Sequence, residues 1–420
     1  MDTLLLKGAL LDGARKDILI EGNRIAAIGD ELPGGAGRIL DCRRYAVVPS
    51  MINLHTHAAM TLVRGFRKEN LQSWLDNVWK FEANLDEEAV YWGTKLAILE
   101  MLRTGTTTFL DMYWHVPAAA RAVEEMGVRG ILTYCFLDNF DPEKGRAQEA
   151  EFMALYNESR KWSPRVSLGV AVHADYTNTE DTIKRAYQLA TELDLHFTVH
   201  VSETEREMRE DIERYGMTPV QHLDALGVID SRFIGAHALW VSDTDIETLG
   251  SRGATVVHNV NSNLLLGSGY KFKYKEYVAA GARVCVGTDG AGSSDNLDIR
   301  ESLKTASILQ KAWRKDPTVL PPEEAFRLAT EAGADALGLD AGRIREGALA
   351  DLALVNVRSE MFVPDYDFTS NLILSANSSC FDTVICDGKI VMENRVVAGE
   401  EEILENAARQ SERLHRMYNR

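Results

Sequence analysis

Apolar and polar positions divide the chain into a middle region and two ends. Through the middle, short apolar runs alternate with amphipathic helical patterns: "TTTFLDMYW" precedes "VPAAARAVEEMG", and "RVSLGVAVHA" precedes "TEDTIKRAYQLATELD". Such alternation indicates a parallel sheet covered by helices. From "AVVPSMINLHTH" to "RVCVGTDGAG" the sequence contains eight strand-then-helix units. We therefore predict an α/β fold with a closed, TIM-like (β/α)₈ barrel over residues 49–341.

Both ends of the chain are β-rich. "DTLLLKGALL" and "DILIEGNRIAAIG" at the start, and "DLALVNV" and "DTVICDGKIVMENRVV" near the end, are apolar runs separated by turn-forming residues. We predict that residues 1–48 and 342–420 together form a small β-sandwich domain with a C-terminal helix.

The amino-acid composition limits which binding partners and which cellular location we expect. The 46 basic and 63 acidic residues give a formal net charge of −17, which disfavours nucleic acid and anionic membranes as partners. The five cysteines are scattered and form no CxxC motif, as is typical of reduced thiols in a cytoplasmic protein. We expect neither a signal peptide nor a membrane anchor, because the apolar run Leu4–Leu6 is broken by Lys7 and no apolar run approaches the roughly 20 residues that span a bilayer. We expect a cytoplasmic protein; "TASILQKAWRK" could support a homo-oligomer, or simply pack on the barrel.

Histidines gather at the predicted strand ends. His55 and His57 in "MINLHTHAAM" are two residues apart, so a strand would point both to one face. Two converging imidazoles suit a metal such as zinc, although a lone His-x-His can also be two surface histidines. His200 in "FTVHVSE" and His237 in "IGAHAL" end other strands. Because barrel enzymes place their chemistry at the carboxyl ends of the strands, this clustering favours a metal site.

Two acidic residues follow strands at the same rim. Asp289 in "GTDGAG" could bind a metal and take a proton from water, or could cap a helix. Glu203 lies three residues after His200 and could shuttle a proton, or could belong to the acidic first turn of a helix. The fourth strand, "SLGVAVHA", contains no lysine that could bridge two metals, which favours a single metal.

The motifs resemble those of a known superfamily. "NLHTHAAMTLVRG", "VHVSETEREM", "GAHALWVSDTDI", "VVHNVNSNLLLGSG" and "VGTDGAGSSDNLDIRESL", in this order, are similar to the amidohydrolase superfamily. Within it, the chain resembles the branch of methylthioadenosine and S-adenosylhomocysteine deaminases and chlorotriazine hydrolases. The resemblance spans nearly the whole chain.

The resemblance implies roles for individual residues. One divalent metal, zinc or else iron, nickel or manganese, would bind His55, His57, His200 and Asp289. His237 would orient the attacking water, and Glu203 would carry a proton to the ring nitrogen of a small heterocyclic substrate. Further substrate contacts would come from Glu82, which would grip ribose hydroxyls, from His173, and from Arg146 near the 5′ group.

The implied reaction is hydrolytic deamination of an adenosine-type nucleoside: methylthioadenosine, 5′-deoxyadenosine, adenosine or S-adenosylhomocysteine. The alternative is hydrolysis of another amino- or chloro-substituted ring, such as guanine, a pterin or a triazine; a non-catalytic homologue should have lost candidate ligands. The branch usually has proline at the positions of Asp175 and Val260. Tyr134 lies where some homocysteine-accepting members carry a second arginine. This last departure favours a smaller or less charged 5′ group.

Overall fold

The computed structural model describes residues 3–66 and 71–419. The N-terminal region contains five strands: β1 (Thr3–Leu11), β2 (Ala14–Glu21), β3 (Arg24–Gly29), β4 (Arg38–Asp41) and β5 (Tyr45–Pro49). β1 pairs antiparallel with β2, and parallel with β4 and β5. Asp12 and Gly13 both have positive φ in the tight turn between β1 and β2, which matches the twist of a hairpin.

The middle of the chain forms eight parallel strands, which confirms the predicted fold class. They are β6 (Met51–Thr56), β7 (Thr106–Tyr113), β8 (Arg129–Phe136), β9 (Val166–Val172), β10 (Phe197–Val201), β11 (Phe233–His237), β12 (Thr255–His258) and β13 (Arg283–Val286). Each strand pairs with the next along the chain, in unbroken order.

Helices connect and cover these strands. They are α1 (Leu71–Glu82), α2 (Glu87–Arg103), α3 (Val116–Met126), α4 (Pro142–Ser159), α5 (Glu180–Glu192), α6 (Glu205–Tyr215), α7 (Pro219–Ala225), α8 (Asp243–Ser251), α9 (Val260–Leu265), α10 (Tyr274–Ala280), α11 (Ala291–Ser294), α12 (Ile299–Arg314), α13 (Pro322–Leu328) and α14 (Glu331–Ala336). Side-chain caps begin many of them; Thr179, Thr204 and Ser242 each accept a backbone N–H of the first turn.

The barrel closes where β6 meets β13. The Asp289 backbone N–H donates to the His55 carbonyl (3.0 Å), and the Asn53 side chain exchanges two hydrogen bonds with Thr288 (2.7 and 3.1 Å). Gly287 permits this approach, because a Cβ there would lie 2.8 Å from the His55 carbonyl oxygen. Closure therefore brings the end of the last strand beside the end of the first.

The C-terminal region returns to the first sheet. β14 (Leu352–Asn356) pairs antiparallel with β5 and with β15 (Phe381–Cys386), and β15 pairs with β16 (Lys389–Met392). The predicted β-sandwich is one mixed sheet that branches at β1. Its core takes side chains from both ends of the chain, including Leu6, Ile18, Val47, Leu352 and Ile385.

The last helices lie on the barrel side. After α15 (Phe368–Ser370), α16 (Glu400–Tyr418) packs against α1 and α2. The sequence had suggested that this helix belongs to the small domain; here its apolar face covers barrel helices. β5 and β6 are separated only by Ser50. The exact limits of the two domains, 48/49 and 341/342, stay predictions.

All five cysteines are buried and free. Among the described residues, no helix combines the length and the apolar character that crossing a membrane would require.

A buried ionic network joins the barrel to the terminal sheet. Arg129 at the start of β8 bonds Asp351 (3.2 Å) and Asp387 (3.3 Å), and Arg165 lies 3.8 Å from Asp387. Arg129 and Asp351 are almost fully buried. Removing one partner of such a network leaves a buried charge uncompensated, which costs more than the pair contributes.

We expect Arg129→Met to lower the free energy of unfolding by about 3 kcal/mol, because Asp351 and Asp387 lose their shared cation. Urea unfolding followed by circular dichroism measures the effect. The matched control is Arg416→Met on the exposed face of α16, which should stay within about 0.5 kcal/mol of the original protein. Equal unfolding midpoints for the two variants would contradict this role.

Candidate active site

The carboxyl ends of the barrel strands carry a compact group of ionisable side chains. His55 and His57 lie at the end of β6, His200 near the end of β10, His237 at the end of β11, and Asp289 just after β13. The rings of His55 and His200 have centroids 4.9 Å apart, and the rings of His55 and His57 are equally close. The structure thus brings together residues that are far apart in the sequence.

Four atoms converge at the centre of this group. His55 Nε2 lies 3.2 Å from His200 Nε2 and 3.5 Å from Asp289 Oδ1. His57 Nε2 lies 3.0 Å from the same Asp289 oxygen. All four side chains are buried or nearly so.

Hydrogen bonds hold the outer atoms of three of these side chains, those of His57, His200 and Asp289. His57 Nδ1 donates to the Met112 carbonyl (2.5 Å), and His200 Nδ1 donates to the His173 carbonyl (2.8 Å). With Nδ1 protonated, the Nε2 atom of each neutral ring presents a lone pair to the centre. Two serines orient the acid: Ser262 and Ser293 both donate to Asp289 Oδ2, at 2.6 and 2.8 Å.

This arrangement fits a divalent cation. Lone pairs of imidazole nitrogens face each other and a carboxylate oxygen, and among the described residues Asp289 Oδ1 has no hydrogen-bond donor that meets normal geometry. A cation between them would satisfy all of these atoms. Three imidazoles and one carboxylate form a donor set typical of zinc and similar metals.

Burial and mutual charge set the protonation of the group. Burial alone would lower the pKa of His57, but the Asp289 carboxylate oxygen, 3.0 Å from Nε2, stabilises the protonated ring and raises the pKa to about 9. Burial lowers the pKa of His200 well below its usual value, and the neighbouring histidines add to the effect. A proton on His57 and a metal at the centre therefore compete for the same negative charge.

Glu203 and His237 form a second pair beside the four atoms. His237 Nε2 lies 3.7 Å from Glu203 Oε2, while Asn263 Nδ2 donates to His237 Nδ1 at 2.9 Å. Ser268 donates to Glu203 Oε1 at 3.3 Å. Burial, together with the charges of Asp289 and Glu207, raises the pKa of Glu203 well above its usual value. Burial lowers the pKa of His237 to about 3, so that ring is neutral.

A pocket opens above these groups. Aromatic and apolar side chains form most of its wall, including Met60, Leu71, Trp74, Leu75, Val78, Trp79 and Tyr176. Glu82 and His173 line the same pocket. Trp114 Nε1 donates to Glu82 Oε2 at 3.3 Å, and burial raises the pKa of Glu82. Burial also lowers the pKa of His173 to about 4, so it is neutral against the His200 ring.

Arg146 is the one predicted site residue that lies neither on the wall of this pocket nor in the group of ligand-type atoms at its base. It lies on α4, is 64% exposed and pairs with Glu143 one turn earlier. The phase of α4, which begins at Pro142 after the Asp141 cap, points Arg146 outward. Lys144 of the same helix instead lines a groove that continues from the pocket past Glu82 and Trp114.

Two other polar residues of the barrel strands, one of them the Tyr134 noted in the sequence, also have structural partners. Tyr134 donates its hydroxyl to Glu151 (2.7 Å). His258 ends β12 but stacks on Phe272, with ring centroids 4.1 Å apart. Neither residue lines the pocket.

The sequence interpretation missed the residues that orient the site. Ser262, Asn263 and Ser268 all lie in "VVHNVNSNLLLGSG", after β12, and Ser293 follows Asp289 by four residues. The polar run in an otherwise apolar strand-to-helix connection was a visible signal. The sequence alone does not show which residues these side chains bind, because Asp289, His237 and Glu203 lie on or after other strands.

The chain belongs to the amidohydrolase family, which it matches over residues 46–391. This match and the names of its relatives make it a hydrolase that acts on carbon–nitrogen bonds, as the resemblance implied.

Individual relatives are similar over almost the whole chain. It is 41% identical to a 5′-deoxyadenosine deaminase of Methanoregula boonei, over 95% of this chain and 92% of the relative. It is 40% identical to a 5-methylthioadenosine/S-adenosylhomocysteine deaminase of Thermococcus sibiricus, over 93% and 94%. A crystal structure of an adenosine deaminase from Xanthomonas campestris with bound zinc superposes with a TM-score of 0.92 at 29% identity, covering 98% of each chain.

A more distant structure supports the fold alone. Atrazine chlorohydrolase from Arthrobacter aurescens superposes with a TM-score of 0.90 at 22% identity, covering 97% of this chain and all of the other.

Proposed function

We propose that the protein deaminates an adenosine-type nucleoside to the inosine-type product and ammonia. The observation that carries the proposal is the meeting of three histidine nitrogens and one aspartate oxygen beside the Glu203–His237 pair, at the base of a pocket lined by Glu82. Relatives named as deaminases of 5′-deoxyadenosine and methylthioadenosine support the substrate class.

His55, His57, His200 and Asp289 would hold one catalytic divalent cation. Zinc suits this donor set, and the Xanthomonas campestris relative was crystallised with zinc. When bound, such a cation would polarise water and raise its nucleophilicity near neutral pH.

The protein's own side chains would move the protons. A carboxylate oxygen of Asp289 accepts a proton from the water that attacks C6 of the purine, and His237 holds the attacking oxygen. Glu203, protonated in its buried position, delivers its proton to ring nitrogen N1, which prevents negative charge from building on the ring. The proton held by Asp289 then leaves with the amino group as ammonia, and the hydroxyl proton on C6 returns to Glu203.

The pocket would orient the nucleoside. Trp79 and Tyr176 offer aromatic surface to the base, and Glu82 offers a carboxylate to the ribose hydroxyls. The 5′ group would point into the adjoining groove, whose wall includes Leu85, Leu137 and Lys144. The expected cytoplasmic location and homo-oligomeric state remain predictions.

Replacing a proposed ligand and replacing the proposed proton donor should have different effects. His55→Ala should lose one equivalent of bound metal and nearly all turnover, whereas Glu203→Gln should keep its metal and lose rate by about 10²–10⁴-fold. Elemental analysis beside an ammonia-release assay with methylthioadenosine measures both. Glu205→Gln, an exposed residue in the first turn of α6, is the control and should resemble the unmodified protein. Full activity in a metal-free Asp289→Ala protein would refute the assignment.

Glu82 separates a nucleoside substrate from a bare heterocycle. Glu82→Gln should lower kcat/KM for 5′-deoxyadenosine by about 10–100-fold, because hydrogen bonds to a charged acceptor contribute roughly 1.5–3 kcal/mol. Guanine, pterin and triazine turnover, measured in parallel, should be negligible in both proteins, and Glu88→Gln at the exposed start of α2 serves as control. Substantial turnover of a free base or a triazine by the unmodified protein, left intact in Glu82→Gln, would favour the alternative function.

The groove predicts the preference for the 5′ group. Within the described residues that line it, Lys144 is the one lysine or arginine. We expect a higher kcat/KM for methylthioadenosine and 5′-deoxyadenosine than for S-adenosylhomocysteine. Lys144→Ala should lower kcat/KM for S-adenosylhomocysteine alone, by about threefold, as for an exposed ion pair. Arg146→Ala should leave all three values unchanged; a selective loss with Arg146→Ala would show that α4 reorients on binding.

A further inference from the structure

A second group of buried ligand-type side chains lies outside the proposed reaction centre. Asp175 sits in a short 3₁₀ turn after β9 (Asp175–Thr177), Asp211 lies on α6, and His222 lies on α7. All three residues are about 99% buried. None of them lines the substrate pocket.

Their ligand-type atoms face one another. One donor atom from each residue lies within 4.8 Å of the other two. His222 Nδ1 is 3.3 Å from Asp175 Oδ2, and the imidazole is held flat by Tyr215, which stacks on it at 3.8 Å. Two donors bound to one cation at about 2.1 Å in tetrahedral geometry would be about 3.4 Å apart. The corresponding separations at the proposed catalytic centre are 3.0–3.5 Å.

Within the part of the chain that the structure describes, no lysine or arginine forms a salt bridge with Asp175 or Asp211, while Glu180 Oε1 adds a further acidic oxygen 3.6 Å from His222 Nε2. Among the described residues, Asp175 Oδ1, Asp211 Oδ2 and His222 Nε2 are buried and have no hydrogen-bond partner. The guanidinium of Arg214 is exposed and lies over the rings of Phe140 and Tyr215. Glu207 adds a further buried carboxylate nearby, and its own oxygens accept the backbone N–H groups of Ser202 and Glu203. Buried carboxylates without such neutralisation are costly, so a cation between them would be stabilising.

We propose that Asp175, Asp211 and His222 form a second, structural site for a divalent transition-metal ion. Two carboxylates and one imidazole suit zinc or manganese, and water can complete the coordination. The ion would fasten the 3₁₀ turn to α6 and α7. Tyr176 of that turn lines the substrate pocket, and α6 begins two residues after Glu203. The site would therefore stabilise one wall of the pocket without touching the reacting atoms.

Counting bound metal tests the site independently of activity. Protein stripped with a chelator, then dialysed against Zn²⁺ and analysed by plasma mass spectrometry, should hold two equivalents per chain. Asp211→Asn and His222→Phe, which keep the side-chain shape or the stacked ring, should each hold one. Glu213→Gln, an exposed acid on α6, is the matched control and should hold two. His55→Ala should hold one, at the second site.

A thermal shift on the His55→Ala background isolates the second site. Zn²⁺ should raise the melting temperature of His55→Ala by a few degrees, because ligand binding stabilises the folded state. It should leave His55→Ala/Asp211→Asn unchanged. Anomalous diffraction at the zinc edge, from crystals of the unmodified protein, should give a peak between Asp175, Asp211 and His222.

One equivalent in the unmodified protein, lost in His55→Ala and kept in Asp211→Asn, would overturn the inference. The two aspartates would then share a proton instead of a metal. That outcome would leave the proposed deamination untouched, since the His55 centre is counted separately.

Discussion

The contact that closes the barrel is the constraint on which the proposed chemistry depends. The backbone hydrogen bond from Asp289 to the His55 carbonyl, together with the two bonds between Asn53 and Thr288, holds the end of the last strand against the end of the first. Gly287 makes the approach possible. Without closure, the aspartate oxygen could not lie within 3.5 Å of two histidines that precede it by more than 230 residues. Closure of the barrel thus brings ligand-type atoms from distant parts of the chain into contact.

The strands and the segments that follow them have different roles at the site. Strand ends supply the atoms that face the centre, and the connections after them supply the hydrogen bonds that orient those atoms. Ser262 and Ser293 fix Asp289 from two different helices. Asn263 fixes His237. The carbonyl groups of Met112 and His173 accept hydrogen bonds from His57 and His200 in the same way. These bonds limit the rotation of the functional side chains, which is the pre-organisation that catalysis in a dry site needs.

The strand pattern allowed much of this arrangement to be predicted from the sequence. The carboxyl ends of parallel strands meet at one rim of the barrel. His200 and Asp289, near the ends of two other strands, are therefore expected beside His55 and His57, and the structure places them there. Arg146 could not be placed in the same way. If α4 began one residue earlier or later, each of its side chains would turn by about 100° around the helix axis. Whether Arg146 faces inward or outward therefore depends on where α4 begins. Asp175 comes from the connection between β9 and β10, and Asp211 and His222 come from two helices between β10 and β11; no local periodicity encodes the packing of these segments.

The pairing of β5 with β14 also affects how the chain can be made. Val48 lies opposite Ala353, about 300 residues later. During synthesis from the N-terminus, the edge of β5 that pairs with β14 stays unpaired until β14 has been synthesised. An exposed edge of this kind can recruit other chains. Pairing of β14 with β5 therefore removes an edge at which the nascent chain could associate with other chains. It also anchors β6, the first strand of the barrel, which follows β5 after Ser50 alone.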